Sequence, residues 1–175
     1  FQYFTVGLEP YLSVIKEEYF SSFIKQGGSA FKLVVGAYGG GKTHFLYCLR
    51  DYAWKHNFVV SYVSLSPGDC PFHKLDLVYS AIVKNMMPPL SESEILSGYE
   101  KGIVSFLRSW FTIKQKEFDD KDLSKEESNH EMLEYIKHLE GIESISFINA
   151  IKSAYNQLLL KDDEGFKNIC QWLLG

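Results

Sequence analysis

Residues 36–43 have the types and the spacing that bind phosphate groups; we call them the phosphate loop. They read Gly-Ala-Tyr-Gly-Gly-Gly-Lys-Thr and match the pattern G-x-x-x-x-G-K-[ST]. Glycines let backbone N–H groups converge on an anion, Lys42 can reach the outer phosphates, and the Thr43 hydroxyl can bind Mg²⁺. The nucleotide-binding residues predicted here are Gly36, Ala37, Tyr38, Gly39, Gly40, Gly41, Lys42, Thr43 and the following His44, with Thr43 as the metal ligand.

The elements that must position this loop can also be read from the sequence. Residues 30–35 form a short apolar run that ends at Gly36. After Thr43, apolar residues recur at helical spacing, and residues 58–65 form a second apolar run. Strand, loop, helix and strand in this order are typical of a parallel-sheet nucleotide-binding unit. We therefore predict an α/β fold with an incomplete P-loop NTPase parallel-sheet core, followed by a mostly α-helical region.

Helical patterns predominate outside this core. Residues 8–26 and 72–87 each have an apolar stripe at helical spacing, and Gly27 and Pro88 end the two stripes. Further helices are predicted near residues 129–140, 144–160 and 163–174. A boundary near Pro88 gives a nucleotide-binding core over residues 1–88 and a helical insertion or subdomain over residues 89–175.

A hydrolytic site needs a further group that the sequence does not show clearly. In NTPases of this type an acidic residue at the end of a neighbouring strand orders Mg²⁺. Residues 158–164 read Leu-Leu-Leu-Lys-Asp-Asp-Glu, but the helical spacing of the preceding apolar residues favours a helix end over a strand. Asp69 lies among turn-forming residues, which favours a turn role, although loops after strands also line nucleotide sites. Neither Arg50 nor Arg108 has a context that marks an arginine finger.

The composition argues against several classes of protein. A net charge of −4 and an isoelectric point near 5.7 disfavour a dominant nucleic-acid-binding surface. The widely spaced Cys48, Cys70 and Cys170 favour reduced thiols in the cytoplasm over a zinc site or a disulfide framework. No apolar run approaches the ~18 residues of a membrane span, so no membrane association is expected. Because the sequence begins without Met and ends just after an apolar helix, we expect a piece of a longer protein.

The chain resembles the ATP-binding proteins of BREX-type bacteriophage-defence systems, which belong to the wider AAA+-like and STAND-like P-loop ATPases. The resemblance covers most of the chain and is strongest over residues 4–87. The segments on which it rests are the phosphate loop with His44, Phe45 and Leu46, Val6 with Gly7, Phe31 with Lys32, residues 58–66 and 71–75, Val78 with Tyr79, and residues 172–175.

This resemblance implies ATP rather than GTP, Mg²⁺, and a role in a multi-protein defence assembly that acts on DNA. It places Val6 and Gly7 near the adenine and gives Lys42 the catalytic role of neutralising the phosphates. The implied partners are other defence-system proteins or further copies of the chain, with DNA contacted only indirectly or through regions outside these residues. The sequence departs from the family pattern because the acidic magnesium-site motif and the later arginine elements are not in it.

Two functions remain as alternatives at this point. The first is an ATPase motor or switch module that is active in its full-length or oligomeric form. The second is a scaffold that hydrolyses nothing and uses ATP to order a partner surface, which Trp110, Phe111 and Phe118 of the helical half could supply. A small-molecule kinase is disfavoured because the chain has only two arginines and no arginine-rich lid.

Overall fold

Helices dominate the structure. A computed structural model describes residues 7–121 and 123–175, and 60% of these described residues are helical. Within those residues the helices are α1 (Glu9–Val14), a π-helical segment (Ile15–Phe23), α2 (Lys42–Lys55), α3 (Leu75–Lys84), α4 (Glu92–Leu96), α5 (Ile103–Asp119), α6 (Lys125–Lys137), α7 (Ile145–Leu159) and α8 (Asp163–Leu174).

The predicted α/β fold with a parallel-sheet core is wrong. The strands in the described part of the chain are β1 (Val60–Ser61) and β2 (Met86–Met87), which pair with each other. Residues 30–35 are not assigned to a strand, and Phe31 and Val35 are 83% and 82% exposed. An apolar run favours extended backbone locally, but a strand also needs a partner that is distant in sequence, and local patterns do not specify that partner.

The described chain divides into two compact units. The first contains the described part of Phe1–Val60 together with Pro88–Glu92, and the second contains Ser61–Met87 and Ser93–Gly175. The functional division into residues 1–88 and 89–175 stays a prediction.

In the first unit, the helix predicted over residues 8–26 is present but changes its winding. α1 continues directly into the π-helical segment. The backbone N–H of Ile24 donates to the Tyr19 carbonyl at 2.8 Å, and the N–H of Gly28 donates to the Phe23 carbonyl at 2.9 Å, five residues back in both cases. π winding is rare and mostly limited to single turns, and a coarse apolar stripe does not distinguish it from α winding.

Packing in the first unit is centred on α2. Among the described residues of this unit, the buried apolar side chains are Leu12 of α1 and Cys48, Ala53 and Trp54 of α2. The Arg50 guanidinium lies 4.6 Å from the centroid of the Trp54 ring and forms an ion pair with Asp51 at 2.7 Å. Contacts within α2 therefore hold this buried indole in place.

The second unit has a continuous apolar core. Its fully or nearly buried members are Val83, Ile103, Leu107, Met132, Ile136, Leu139, Ile151, Ala154, Tyr155, Phe166, Cys170 and Leu173. Trp110 meets the Tyr155 ring edge-on, with 5.5 Å between ring centroids, and burial raises the pKa of the Tyr155 phenol. The Tyr79 hydroxyl donates to the Leu173 carbonyl at 2.7 Å and ties α3 to α8.

Side-chain caps fix where the last three helices begin. Ser124 and Glu127 form a reciprocal capping box at the start of α6. The Ser144 hydroxyl accepts from the Phe147 N–H at 3.3 Å, and the Asp162 carboxylate accepts from the Gly165 N–H at 2.9 Å. These caps occupy N–H groups that a helix start leaves without intrahelical partners. The helices predicted near residues 129–140, 144–160 and 163–174 are confirmed as α6, α7 and α8; the first two have shifted bounds, and the third begins and ends as predicted.

Replacing a fully buried leucine should destabilise the second unit far more than replacing an exposed one. Leu107 is 0% exposed and Leu160 is 73% exposed. We expect Leu107→Ala to lower the free energy of unfolding by about 2–5 kcal/mol, because it leaves a cavity, and Leu160→Ala to change it by less than about 0.5 kcal/mol. Urea unfolding followed by circular dichroism measures both, and equal losses would contradict the assigned core.

Candidate functional site

The phosphate loop uses each of its three consecutive glycines differently. Gly39 and Gly41 have φ angles of +77° and +78°, a left-handed conformation that side chains disfavour. Gly40 donates its N–H to the Ala37 carbonyl at 3.1 Å, and a Cβ on Gly40 would lie 3.0 Å from that same oxygen. The tight turn over residues 37–41 therefore favours glycine at all three positions.

The helix that follows the loop begins without a side-chain cap. Gly41 is the N-cap of α2 and has no side chain to accept a hydrogen bond. Its carbonyl accepts from the Phe45 N–H at 2.9 Å. The first N–H groups of the helix have no intrahelical acceptor, and the positive end of the helix dipole lies at the same point. A helix start of this kind favours a negatively charged ligand.

Lys42 bends back over the loop. Its Nζ donates to the Gly36 carbonyl at 2.8 Å and to the Ala37 carbonyl at 2.7 Å. A Cβ on Gly36 would lie 3.6 Å from the Lys42 Cγ, so the lysine stem runs close along the loop. The ammonium is thereby fixed beside the first turn of α2, and its positive charge adds to that of the helix end.

A cavity of about 800 Å³ lies over the loop within the first unit. One wall comes from α1 and the π-helical segment, and the other comes from the loop with its flanking residues. The lining residues are Leu8, Tyr11, Val14, Ile15, Tyr19, Lys32, Leu33, Val34, Val35, Gly36, Gly40, Gly41, Lys42, His44 and Phe45. This lining contains two lysines and no Asp or Glu. The cavity is therefore apolar on one side and positively charged on the other.

The structure brings only some of the predicted site residues to this cavity. Those that line it are Gly36, Gly40, Gly41, Lys42 and His44, whereas Gly7, Ala37, Tyr38, Gly39 and Thr43 are outside the lining. The Tyr38 side chain is fully exposed, and the Thr43 side chain is exposed in the first turn of α2. Val6, predicted near the adenine, lies outside the described residues.

Comparison with known protein families shows which family the chain belongs to. The family model for the BREX system ATP-binding protein BrxC/D matches residues 1–175. The chain belongs to this family. The resemblance recognised from the sequence is thus confirmed, and the family is one of ATP-binding proteins in a phage-defence system. No curated protein and no solved structure matches the chain.

Other acidic and cationic candidates in this BREX-family chain have local structural roles. The Asp69 N–H and carboxylate both bond to the Ser66 hydroxyl, at 3.0 and 3.3 Å, which is the turn role expected for this residue. Residues 158–164 contain the end of α7 and the start of α8 rather than a strand, as the apolar spacing indicated. Arg108 pairs with Asp163 at 2.8 Å.

The described residues show neither a metal cluster nor a membrane span. No group of three or more His, Cys, Asp or Glu side chains within residues 7–121 and 123–175 could hold a metal ion. In that same part of the chain, no helix has the length and apolar character needed to cross a membrane. If Mg²⁺ binds here, the Thr43 hydroxyl is the side chain beside the loop that could hold it, together with phosphate oxygens.

Part of the cavity lining was not predicted from the sequence. Tyr11, Val14 and Lys32 line the cavity, and the Lys32 ammonium lies 4.3 Å from the centroid of the Tyr19 ring. The apolar stripe over residues 8–26 was the available signal, because Ile15 and Tyr19 belong to it. Such a stripe indicates that one face of the helix is sheltered from water, but it does not distinguish a face packed in a core from a face that lines a ligand cavity.

Proposed function

We propose that the phosphate loop of this BREX-family protein holds the triphosphate of ATP. The observation that supports this best is the position of the Lys42 ammonium beside the uncapped start of α2. The helix N–H groups and the lysine would bind the same anion. The Gly36 and Ala37 carbonyls that now accept from Lys42 would give up these bonds as the phosphates arrive.

We further propose that the adenine lies against the apolar wall of the cavity. Leu8, Tyr11 and Val14 line that wall, and Tyr11 is 66% exposed, so its ring is accessible to a base. An aromatic ring stabilises a base by stacking on its flat face, and this contact does not require hydrogen bonds to the base. Mg²⁺ would then bind between the Thr43 hydroxyl and the outer phosphates.

Partners and location are proposed on the same basis. Membership in the family suggests that other proteins of the defence system are partners. Homo-oligomerisation, an indirect role on DNA and a cytoplasmic location stay proposals. So does the assignment of residues 1–88 as the nucleotide-binding part and residues 89–175 as a helical insertion or subdomain.

Removing the Lys42 ammonium should weaken ATP binding. A charge-assisted hydrogen bond contributes about 1.5–3 kcal/mol, so Lys42→Ala should lower MgATP affinity by about 10- to 150-fold. Lys25→Ala removes an equal charge from an exposed site of the same unit and should leave affinity within about twofold. Isothermal titration calorimetry measures both, and equal affinity of wild type and Lys42→Ala would refute the assignment.

Truncating Tyr11 should affect only ligands that contain a base. We expect Tyr11→Ala to weaken MgATP binding by about 5- to 150-fold, because one stacking contact contributes about 1–3 kcal/mol. Binding of inorganic triphosphate should not change, and Tyr11→Phe should bind ATP like wild type. A matching loss for inorganic triphosphate would mean that Tyr11 supports the loop rather than the base.

The absence of a carboxylate from the described lining of the cavity favours the scaffold alternative for these 175 residues. An ATPase site needs an acidic group to order Mg²⁺ and its water. For this chain alone we expect MgATP binding without steady phosphate release. Phosphate release that Lys42→Ala abolishes would show the chain to be an ATPase and would exclude a pure scaffold.

A further inference from the structure

The second unit contains a cavity of its own, of about 490 Å³. It lies where the C-terminal parts of α5 and α7 face the start of α6. Its lining residues are Phe111, Gln115, Asp119, Leu123, Lys125, Asn129, Leu158, Leu159 and Lys161. The volume lies within the range of about 300–1,000 Å³ that is usual for small-molecule sites. None of these residues belongs to the phosphate loop or its cavity.

On one side of this cavity, Gln115 and Asp119 are hydrogen-bonded to each other and to Ser128. Ser128 is fully buried, accepts from the Gln115 amide at 2.8 Å and donates to the Asp119 carboxylate. Gln115 also donates to Asp119 at 3.2 Å. The hydrogen bond from Ser128, then that from Gln115, and the nearby Lys125 hold the pKa of Asp119 below its usual value. Asp119 therefore carries a negative charge in this cavity, and Lys125 lies near enough to interact with it.

Lys161 occupies a backbone conformation that suits another residue type. It follows the last turn of α7 with a φ of +60°. Its N–H donates to the Leu158 carbonyl at 3.1 Å, and the N–H of Asp162 donates to the Gln157 carbonyl at 2.9 Å. Glycine is the usual residue at such a helix end, and a lysine there has a steric cost. Asn57 is the other non-glycine residue of the described chain with positive φ, and asparagine tolerates that conformation well.

Lys161 is exposed, and no partner for its charge lies among residues 7–121 and 123–175. Its ammonium has no hydrogen bond or ion pair with any residue that the structure describes. The two carboxylates next to it in sequence are engaged elsewhere. Asp162 caps α8 through the Gly165 N–H, and Asp163 pairs with Arg108. The backbone conformation thus disfavours lysine, while the exposed side chain adds a cation at a cavity that is polar on one side and has Phe111, Leu158 and Leu159 in its lining.

We propose that this cavity binds a small organic anion with an aromatic or aliphatic body. The anionic group would pair with the Lys161 ammonium, and the body would pack on Phe111, Leu158 and Leu159. This site is separate from the proposed ATP site, and neither proposal depends on the other.

The test uses two probes that share one ring system. Naphthalene-1-sulfonate has the anionic group, and 1-naphthalenemethanol is its uncharged counterpart; amide chemical shifts report the binding of each. We expect the sulfonate to bind to residues of the cavity at least tenfold more tightly than the alcohol, and its affinity to fall as salt rises. Binding of both probes with equal affinity, or binding of neither at millimolar concentration, would overturn the proposal.

Three variants separate the charge of Lys161 from its effect on the fold. Lys161→Met and Lys161→Gly should each lower sulfonate affinity at least fivefold, while Lys161→Gly keeps or raises the melting temperature because glycine accepts the positive φ. Lys167→Met removes an exposed lysine of α8 outside the cavity and should bind the sulfonate like wild type. Retained binding in either Lys161 variant, or an equal loss in Lys167→Met, would show that Lys161 does not hold the anion.

Discussion

The positive charge of Lys42 must have acceptors, and the phosphate loop is shaped around that requirement. The ammonium reaches the Gly36 and Ala37 carbonyls only because residues 37–41 turn tightly enough to bring both oxygens to one side. That turn needs left-handed backbone at Gly39 and Gly41. It also leaves the first N–H groups of α2 directed away from any side-chain cap. Loop geometry, helix start and cavity charge are therefore consequences of one local arrangement.

The second unit is stabilised differently. Its core is formed by nonlocal packing of α5, α6, α7 and α8, and its largest buried side chains include Tyr155 and Phe166. Burial of large apolar side chains is the main stabilising contribution in such a unit. This also explains why one polar network, around Ser128, is acceptable at its edge: the buried Ser128 hydroxyl both accepts from Gln115 and donates to Asp119. Each unit thus has its own source of stability.

The local features of this protein could be predicted from its sequence, and the nonlocal ones could not. Glycine spacing predicted the loop, and apolar periodicity predicted most helices. The apolar run over residues 30–35 suggested a strand that is not present. The strand that pairs with Met86–Met87 is instead Val60–Ser61, and this pairing depends on contacts far apart in sequence. The change to π winding after Val14 and the positive φ at Lys161 have no clear pattern in residue types. Both line or border a cavity, which is where local rules most often fail.

The buried indole of α2 has an optical consequence. The chain contains three tryptophans, and Trp54 is the one in the first unit, whereas Trp110 and Trp172 belong to the second. Trp172 is 59% exposed and Trp54 is 9% exposed. The two units therefore have distinguishable intrinsic fluorophores. Trp54, which lies on the same helix as Lys42, gives α2 a built-in spectroscopic reporter that needs no added label.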